Sequence, residues 1–158
     1  MENLGMVLAV LGAAFAAGVA GIGAARGVGL VGEAGAGLLT EKPASFGKVL
    51  ILQMLPGTQG LYGFLVALLV FIKTGLLSGS PVALTWAQGL YFFAACLPIA
   101  IAGYFSAVYQ GRVAASGVSM IAKQSTETSK AMILSAMVET YAVLALLISF
   151  IAVFRISV

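Results

Sequence analysis

The sequence predicts an all-α membrane protein in which four transmembrane helices form two tandem helical hairpins. Hydrophobic residues make up 61% of its 158 residues and charged residues only 8%, far outside the range of soluble domains. Four segments are free of charge, or nearly so, over the length that crosses a bilayer. These predicted spans are Asn3–Ala25, Val49–Ile72, Ala83–Gly111 and Ala131–Phe154. We interpret residues 1–158 as a single membrane domain.

The composition also excludes several kinds of function. The chain has neither His nor Asp, so it cannot build a Ser/His/Asp triad or a His-ligated zinc site. The segment FGKV at residues 46–49 lacks the rest of a phosphate-binding P-loop, and a net charge of +3 is too small to indicate nucleic-acid binding. We therefore expect no catalytic site in this chain.

The positions of Lys and Arg predict how the chain crosses the membrane. Two connections carry most of the basic residues, and the opposite side carries Lys73 and Arg155. The basic connections contain Arg26, Lys42 and Lys48 between spans one and two, and Arg112, Lys123 and Lys130 between spans three and four. By the positive-inside rule this multi-pass protein of the cell membrane has both connections in the cytoplasm and both termini outside. Glu2 stands where a signal peptide carries basic residues, so the first span is expected to remain in the mature protein.

The connections themselves are expected to be partly helical. Gly27–Gly47 and Arg112–Ser129 have regular apolar positions and few helix breakers before Pro43. Helices one and three should therefore extend beyond the hydrocarbon as a cytoplasmic surface able to dock a soluble partner.

The chain divides into two similar halves, residues 1–76 and 82–158, separated by a turn at Thr74–Pro81. FGKVLIL in the first half resembles SKAMIL in the second. Helices one and three carry small residues at every fourth position, which lets helices approach closely in lipid. The predicted rows are Gly5, Ala9, Ala13, Ala17, Gly21, Ala25 and Gly29, and Gly103, Ala107, Gly111, Ala115 and Ser119. This pattern predicts helices one and three in an inner layer and helices two and four outside, as in a ring of hairpins.

One carboxylate, Glu139, lies inside the fourth span. At about 1.5 Å of rise per residue it is roughly 13 Å from Lys130 and roughly 24 Å from Arg155. An ionised carboxylate at that depth costs about 2.5–3.5 kcal/mol, so it is typical of a site that holds or passes a cation. The alternative is a permanently protonated Glu139 that only hydrogen-bonds between helices.

Further polar residues are predicted to reach Glu139. Leu55, Thr58, Gln59 and Tyr62 share one face of span two, and Pro56 removes a backbone donor there, leaving nearby carbonyls less well satisfied. The third and fourth spans add Gln110 with Ser106, and Glu139 with Ser135, Thr140 and Tyr141. Hydroxyl, amide, carbonyl and carboxylate oxygens suit a hard cation, and a single carboxylate favours a monovalent one. This set favours Na⁺, with H⁺ as the alternative.

Three segments resemble one known family. LILQMLPGTQGLYGF at Leu50–Phe64, AVYQGRVAASG at Ala107–Gly117 and MVETYAVLALLISF at Met137–Phe150 resemble the proteolipid (K or c) subunit of bacterial V-type ATPases, especially the Na⁺-transporting ones. The similarity extends over essentially the whole chain. It implies a four-helix subunit that is repeated around a membrane rotor ring.

The resemblance also implies the residues of the site and the partners. The ion would be held by the Leu55 carbonyl, Thr58, Gln59, Gln110 and Glu139, with Tyr62 hydrogen-bonding and closing the site. A central stalk on the cytoplasmic loops would turn the ring of identical copies in the lipid against a stator subunit. An arginine of that stator would compete for Glu139 and release Na⁺ outwards.

Three other functions remain open from the residues alone. The same rotor could carry H⁺, in which case the extra oxygen ligands are incidental. A small multidrug-type antiporter could also use one membrane Glu, although it has no need of duplicated hairpins or long cytoplasmic extensions. A structural proteolipid would form only a pore or a scaffold.

Overall fold

The computed structural model describes residues 4–158, which form an all-α fold, as predicted. Four helical segments are long and apolar enough to cross a membrane. The α-helices are α1 (Leu4–Glu41), α2 (Phe46–Met54), α3 (Thr58–Lys73), α4 (Trp86–Lys123) and α5 (Thr128–Arg155). Short 3₁₀ turns at Pro43–Ser45, Leu55–Gly57 and Ser125–Glu127 link them. The second crossing therefore consists of α2, a 3₁₀ turn and α3.

The C-terminal ends of α1 and α4 agree with the predicted extensions, but the start of the third span differs from the prediction. α1 continues to Glu41 and α4 to Lys123, which confirms that both run beyond their apolar segments. α4 begins at Trp86 rather than at the predicted Ala83, because Thr85 has extended backbone and caps the helix. Its hydroxyl accepts from the Gln88 N–H at 3.3 Å, and the Gln88 side chain accepts from the Thr85 N–H at 2.9 Å. The predictions for Glu2 and Asn3 lie outside the described residues.

The turn between α3 and α4 is present where it was predicted. Gly75 and Gly79 both have a φ of +73°, which favours glycine. The Ser80 N–H donates to the Gly75 carbonyl at 3.1 Å, and the Val82 N–H donates to the Thr74 carbonyl at 3.0 Å. This turn leads from the first pair of membrane crossings to the second.

The helices form two layers. The most extensive packing joins α1 to α4, followed by α4 to α5 and α1 to α3. α3 also contacts α4 and α5, so α1 and α4 make one layer and α3 and α5 the other. Large apolar side chains such as Leu61, Phe64, Ile133 and Leu144 remain exposed on the second layer. The space between α3, α4 and α5 is where polar groups can be shielded from lipid.

The close contact of α1 with α4 depends on small residues, but not at every predicted position. An α-helix has 3.6 residues per turn, so a strict four-residue repeat rotates by about 40° at each step. Ala17 and Gly21 are only partly buried, and Ala25, Gly29 and Ser119 are exposed. The buried row of α1 instead follows the helical period, through Gly12, Ala16, Ala20, Gly23, Gly27 and Val31.

Gly27 is a point of close approach between α1, α4 and the 3₁₀ turn of the second crossing. A Cβ at Gly27 would lie 2.7 Å from the Cβ of Pro56 and closer still to the carbonyl oxygen of Ala107. A Cβ at Gly111 would lie 2.6 Å from the carbonyl oxygen of Gly27. Gly27 therefore holds the 3₁₀ turn of the second crossing against the middle of α4.

Two lysines join the halves of the chain at the end where both basic connections lie. Lys42 Nζ donates to the Ala122 carbonyl at 2.5 Å, and Lys48 Nζ donates to the Ser125 carbonyl at 2.7 Å. These carbonyls belong to the C-terminal end of α4 and the turn after it, where a helix dipole favours positive charge. The first hairpin therefore caps the third crossing.

We predict that Gly27→Ala separates α1 from the 3₁₀ turn and α4. The new methyl group meets backbone, which cannot yield as a side chain does, so a loss of about 1–3 kcal/mol is expected from overpacking. Thermal unfolding of the purified protein in detergent measures it. The matched control is Gly29→Ala in the same helix, where a Cβ would meet nothing within 4 Å. Equal melting temperatures for the two variants would contradict the prediction.

Candidate ion-binding site

The 3₁₀ turn at Leu55–Gly57 sets the direction of the polar residues on α3. Pro56 has no N–H, so the regular helical pattern cannot continue through it. The Thr58 N–H donates to the Leu55 carbonyl, which closes the tighter turn and starts α3 at Thr58. Pro56 itself is buried next to Gly27, while Thr58, Gln59 and Tyr62 lie on the side of α3 that meets α4 and α5.

Glu139 accepts hydrogen bonds from two helices. Tyr62 donates its hydroxyl to Glu139 Oε1 at 2.5 Å, and Thr58 Oγ1 lies 2.8 Å from the same oxygen. Gln110 Nε2 on α4 donates to the other oxygen, Oε2, at 3.4 Å. The carboxylate is partly buried at the meeting point of α3, α4 and α5.

The two glutamines are fully buried and bonded to each other. Gln59 and Gln110 both have 0% exposure. Gln59 Nε2 donates to Gln110 Oε1 at 2.6 Å and to Ser106 Oγ at 3.2 Å. Ser135 Oγ donates to the backbone carbonyl of Gln110 at 3.4 Å. A line of polar side chains thus runs from Ser106 through both amides to Glu139.

The Leu55 carbonyl is not short of donors. It accepts the Thr58 N–H and also lies 2.9 Å from Thr58 Oγ1. Thr58 Oγ1 is 3.3 Å from Gln59 Oε1 as well. A hydroxyl has one hydrogen, so Thr58 can donate to only one of Leu55, Gln59 and Glu139 at a time. The expectation of poorly satisfied carbonyls near Pro56 is thus not met at Leu55.

Two of the polar residues on the fourth span lie away from this cluster. Thr140 is exposed and its hydroxyl donates to the Met137 carbonyl of its own helix at 2.8 Å. Tyr141 is 70% exposed. Their closeness to Glu139 in sequence does not bring them to the same face, because neighbouring residues on a helix point about 100° apart.

The arginines near this level do not face Glu139. Arg112 is exposed, on the other side of α4 from buried Gln110, with its guanidinium 5.3 Å from the ring centre of Tyr109. Arg26 donates to the Tyr104 hydroxyl at 2.8 Å. Both arginines line a separate cleft of about 460 Å³ together with Glu33.

Among residues 4–158, no cationic side chain pairs with Glu139. Within residues 4–158 the salt bridge found joins Lys130 to Glu127 at 2.6 Å, in the connection before α5. The groups around Glu139 are hydroxyls and amides, which are neutral and offer both oxygens and hydrogens. A carboxylate in such surroundings can be neutralised by a proton or by a small cation taken up from solution.

Two supports behind the site, one hydrogen bond and one steric contact, could not be predicted from the sequence. Ser106 Oγ donates to the Val138 carbonyl of α5 at 3.0 Å, although a serine one turn before Gln110 was the only sequence signal. Gly27 supports the site from α1 without contributing a side chain, and only its small size indicated this role.

Comparisons with known proteins agree with the resemblance. A family described as the C subunit of ATP synthase matches residues 11–70 and again residues 93–152, one match in each half. The V-type sodium ATPase subunit K of Enterococcus hirae is 51% identical over 152 residues, which cover 96% of this chain and 94% of that protein. The A-type ATP synthase subunit K of Methanocaldococcus jannaschii is 40% identical over 144 residues, 91% of this chain and 60% of that protein. This multi-pass membrane protein therefore belongs to the ATP synthase C-subunit family.

Proposed function

We propose that this chain is the ion-carrying rotor-ring subunit of a rotary V-type ATPase and that it carries Na⁺ on Glu139. The observation that carries the proposal is a lone carboxylate within a membrane helix, surrounded by neutral oxygen-bearing groups from α3 and α4. The similarity to a V-type sodium ATPase subunit K supports both the complex and the ion.

In the proposed site, Na⁺ is held by five oxygen-bearing groups. They are the Leu55 carbonyl, the Thr58 hydroxyl, the Gln59 and Gln110 amides and the Glu139 carboxylate. An amide oxygen has two lone pairs, so Gln110 Oε1 can keep the hydrogen bond from Gln59 and still face a cation. Tyr62 donates to Glu139 from the edge of the cluster, in a position to close the site.

Charge neutrality explains how the carboxylate could pass through lipid. An ionised side chain at the centre of a bilayer costs about 2.5–3.5 kcal/mol on insertion scales. A monovalent cation cancels the charge of Glu139, whereas a divalent one would leave a positive site. A loaded copy can then travel past lipid, and an empty one cannot do so at the same cost.

The other components of the proposed ATPase complex are further copies of this chain and other subunits. Identical copies form the ring, with the layer of α1 and α4 inside and that of α3 and α5 towards the lipid. A soluble head hydrolyses ATP and turns a central stalk that is docked on the cytoplasmic connections. A stator subunit supplies an arginine that displaces Na⁺ from Glu139 to the outside, where both termini and the turn between the halves also lie.

The duplicated family match is further support for a hairpin repeat. Each match covers one pair of membrane crossings, and Glu139 falls within the second. In the first half Gln59 takes the place of a carboxylate, and it lies 2.6 Å from Gln110 in the cluster beside Glu139. We propose that residues 1–76 and 82–158 are the two copies and that they share one ion site.

Replacing Glu139 by Gln tests the carrier role. Glu139→Gln keeps the shape and removes the charge, so insertion and ring assembly should persist while ATP-driven Na⁺ uptake by the whole complex is lost. Uptake into membrane vesicles and recovery of the ring measure the two properties. Glu33→Gln is the matched control, because Glu33 is exposed on α1 and lines the other cleft. A Glu139→Gln ring that still pumped Na⁺ would contradict the carrier role of Glu139.

Removing single ligands tests the composition of the site. Thr58→Ala and Gln110→Ala should each weaken Na⁺ binding by about 10- to 100-fold, because a hydrogen bond or contact to a charged group contributes about 1.5–3 kcal/mol. The Na⁺ concentration for half-maximal ATPase activity is the readout, with ring recovery as the measure of assembly. Thr140→Ala is the control, since its hydroxyl bonds only within α5. If neither variant changed the Na⁺ dependence, the polar face would be structural.

Carbodiimide labelling of Glu139 separates the possible ions and functions. The reagent attacks protonated carboxyls, so bound Na⁺ should protect Glu139 in the purified ring, with K⁺ much weaker. Labelling that depends on pH alone would indicate a proton rotor. Labelling at no pH would leave Glu139 with a structural role, and a protein that forms no ring and does not purify with ATPase subunits would favour an antiporter.

A further inference from the structure

Ser106 lies behind the proposed ion site and is not one of the five residues proposed to bind Na⁺. It lies on α4 one turn before Gln110 and is 6% exposed. Its Oγ is 3.0 Å from the carbonyl oxygen of Val138 on α5 and 3.2 Å from Gln59 Nε2 on α3. One hydroxyl therefore joins the three helices that surround Glu139.

The chemistry of these groups fixes the direction of each hydrogen bond. A backbone carbonyl can only accept, so the one hydrogen of Ser106 is donated to Val138. The Ser106 oxygen is then left as an acceptor towards α3. A side-chain amide has a donor end and an acceptor end, and the end that faces Ser106 must be the NH₂ group of Gln59.

The orientation of the Gln59 amide also sets the orientation of the Gln110 amide. With its NH₂ group towards Ser106, Gln59 also donates to Gln110 Oε1, and its own Oε1 lies 3.3 Å from Thr58 Oγ1. Gln110, which accepts at Oε1, turns its NH₂ group to Glu139 Oε2. The orientation at Ser106 thus places an amide oxygen beside Thr58 and a donor beside the carboxylate.

Without the hydroxyl, only Glu139 at the other end of the row distinguishes the two ends of the amides, and a protonated Glu139 can donate as well as accept, so it permits either orientation. The reversed row would put the NH₂ group of Gln59 beside Thr58 and the oxygen of Gln110 beside Glu139. A donor would then face the space proposed for the cation. The Gln110 oxygen would repel Glu139 in its ionised form. It would accept a hydrogen bond from Glu139 in its protonated form.

We propose that Ser106 is a positioning residue that orients both amides so that the site takes a metal cation in preference to a proton. The inference rests on the proposed function, because it concerns the same site. It adds a residue that touches neither the cation nor Glu139 and acts through Gln59.

The chain offers a rescue variant and a matched control. Ser106 borders a cleft of about 380 Å³, which leaves space for the extra methyl group of Ser106→Thr. Ser149 is another buried serine between α4 and α5, with 0% exposure. Its Oγ accepts the Ile99 N–H at 3.2 Å, next to Pro98 and away from both amides.

The test is Na⁺ protection of Glu139 against carbodiimide labelling, measured on assembled rings at one fixed pH. Ser106→Ala should raise the Na⁺ concentration for half protection at least about 10-fold, with labelling in the absence of Na⁺ retained. Ser106→Cys keeps the shape of the side chain with a somewhat larger sulfur atom, and it should also raise this Na⁺ concentration, because a thiol is a weak donor and a weak acceptor. Ser106→Thr should restore protection close to that of the unmodified chain, and Ser149→Ala should leave it unchanged.

Each other outcome identifies what is wrong. Unchanged protection in both Ser106→Ala and Ser106→Cys would overturn the role of Ser106 while leaving the Na⁺ site in place. An equal loss in Ser149→Ala would show that any buried hydroxyl between α4 and α5 has this effect, which would also overturn it. Absence of Na⁺ protection in the unmodified ring would overturn the proposed function itself.

Discussion

A carboxylate within a membrane helix needs hydrogen-bond donors or a counter-charge, and the arrangement of this protein follows from that need. Glu139 has no cationic partner within residues 4–158, so its donors come from α3 and α4. Three helices must therefore meet at one depth. The 3₁₀ turn at Pro56 and the buried glutamines lie at that depth because that is where polar groups can be shielded from lipid.

α1 contributes no side chain to Glu139 and still determines where the site residues lie. Gly27 contacts both the turn at Pro56 and the segment of α4 that contains Gln110. Any side chain there would push apart the two elements that carry the donors. In lipid, where apolar helices gain little from the hydrophobic effect, such backbone contact is a main source of association. The small residues of α1 thus determine, through helix packing, where the donors to Glu139 lie.

Residue spacing predicted which side chains share one face of a helix, but it did not predict the individual hydrogen bonds between helices. The spacing of Thr58, Gln59 and Tyr62 places them on one face of α3, and they are found together. The four-residue rows failed beyond about three turns because the helical period is 3.6, as exposed Gly29 shows. The Leu55 carbonyl lies next to Pro56, where carbonyls were expected to be less well satisfied, and it already accepts a hydrogen bond from Thr58. The bond from Ser106 to Val138 depends on how α4 and α5 meet. The contact between Ser106 and Val138 leaves no signal in residue spacing.

The two oxygens of Glu139 differ in a way that fits the proposed cation. Oε1 takes both short hydrogen bonds, from Tyr62 at 2.5 Å and Thr58 at 2.8 Å, and Oε2 takes only the long one from Gln110 at 3.4 Å. A carboxylate has about four lone-pair positions, so Oε1 can hold its donors while Oε2 meets a cation. With the Thr58 hydrogen on Oε1, the Leu55 carbonyl accepts the Thr58 N–H but not the Thr58 hydroxyl, and a carbonyl oxygen has a second lone pair that it can offer to the cation. The proposed ligand set is therefore consistent only when Thr58 donates away from Leu55.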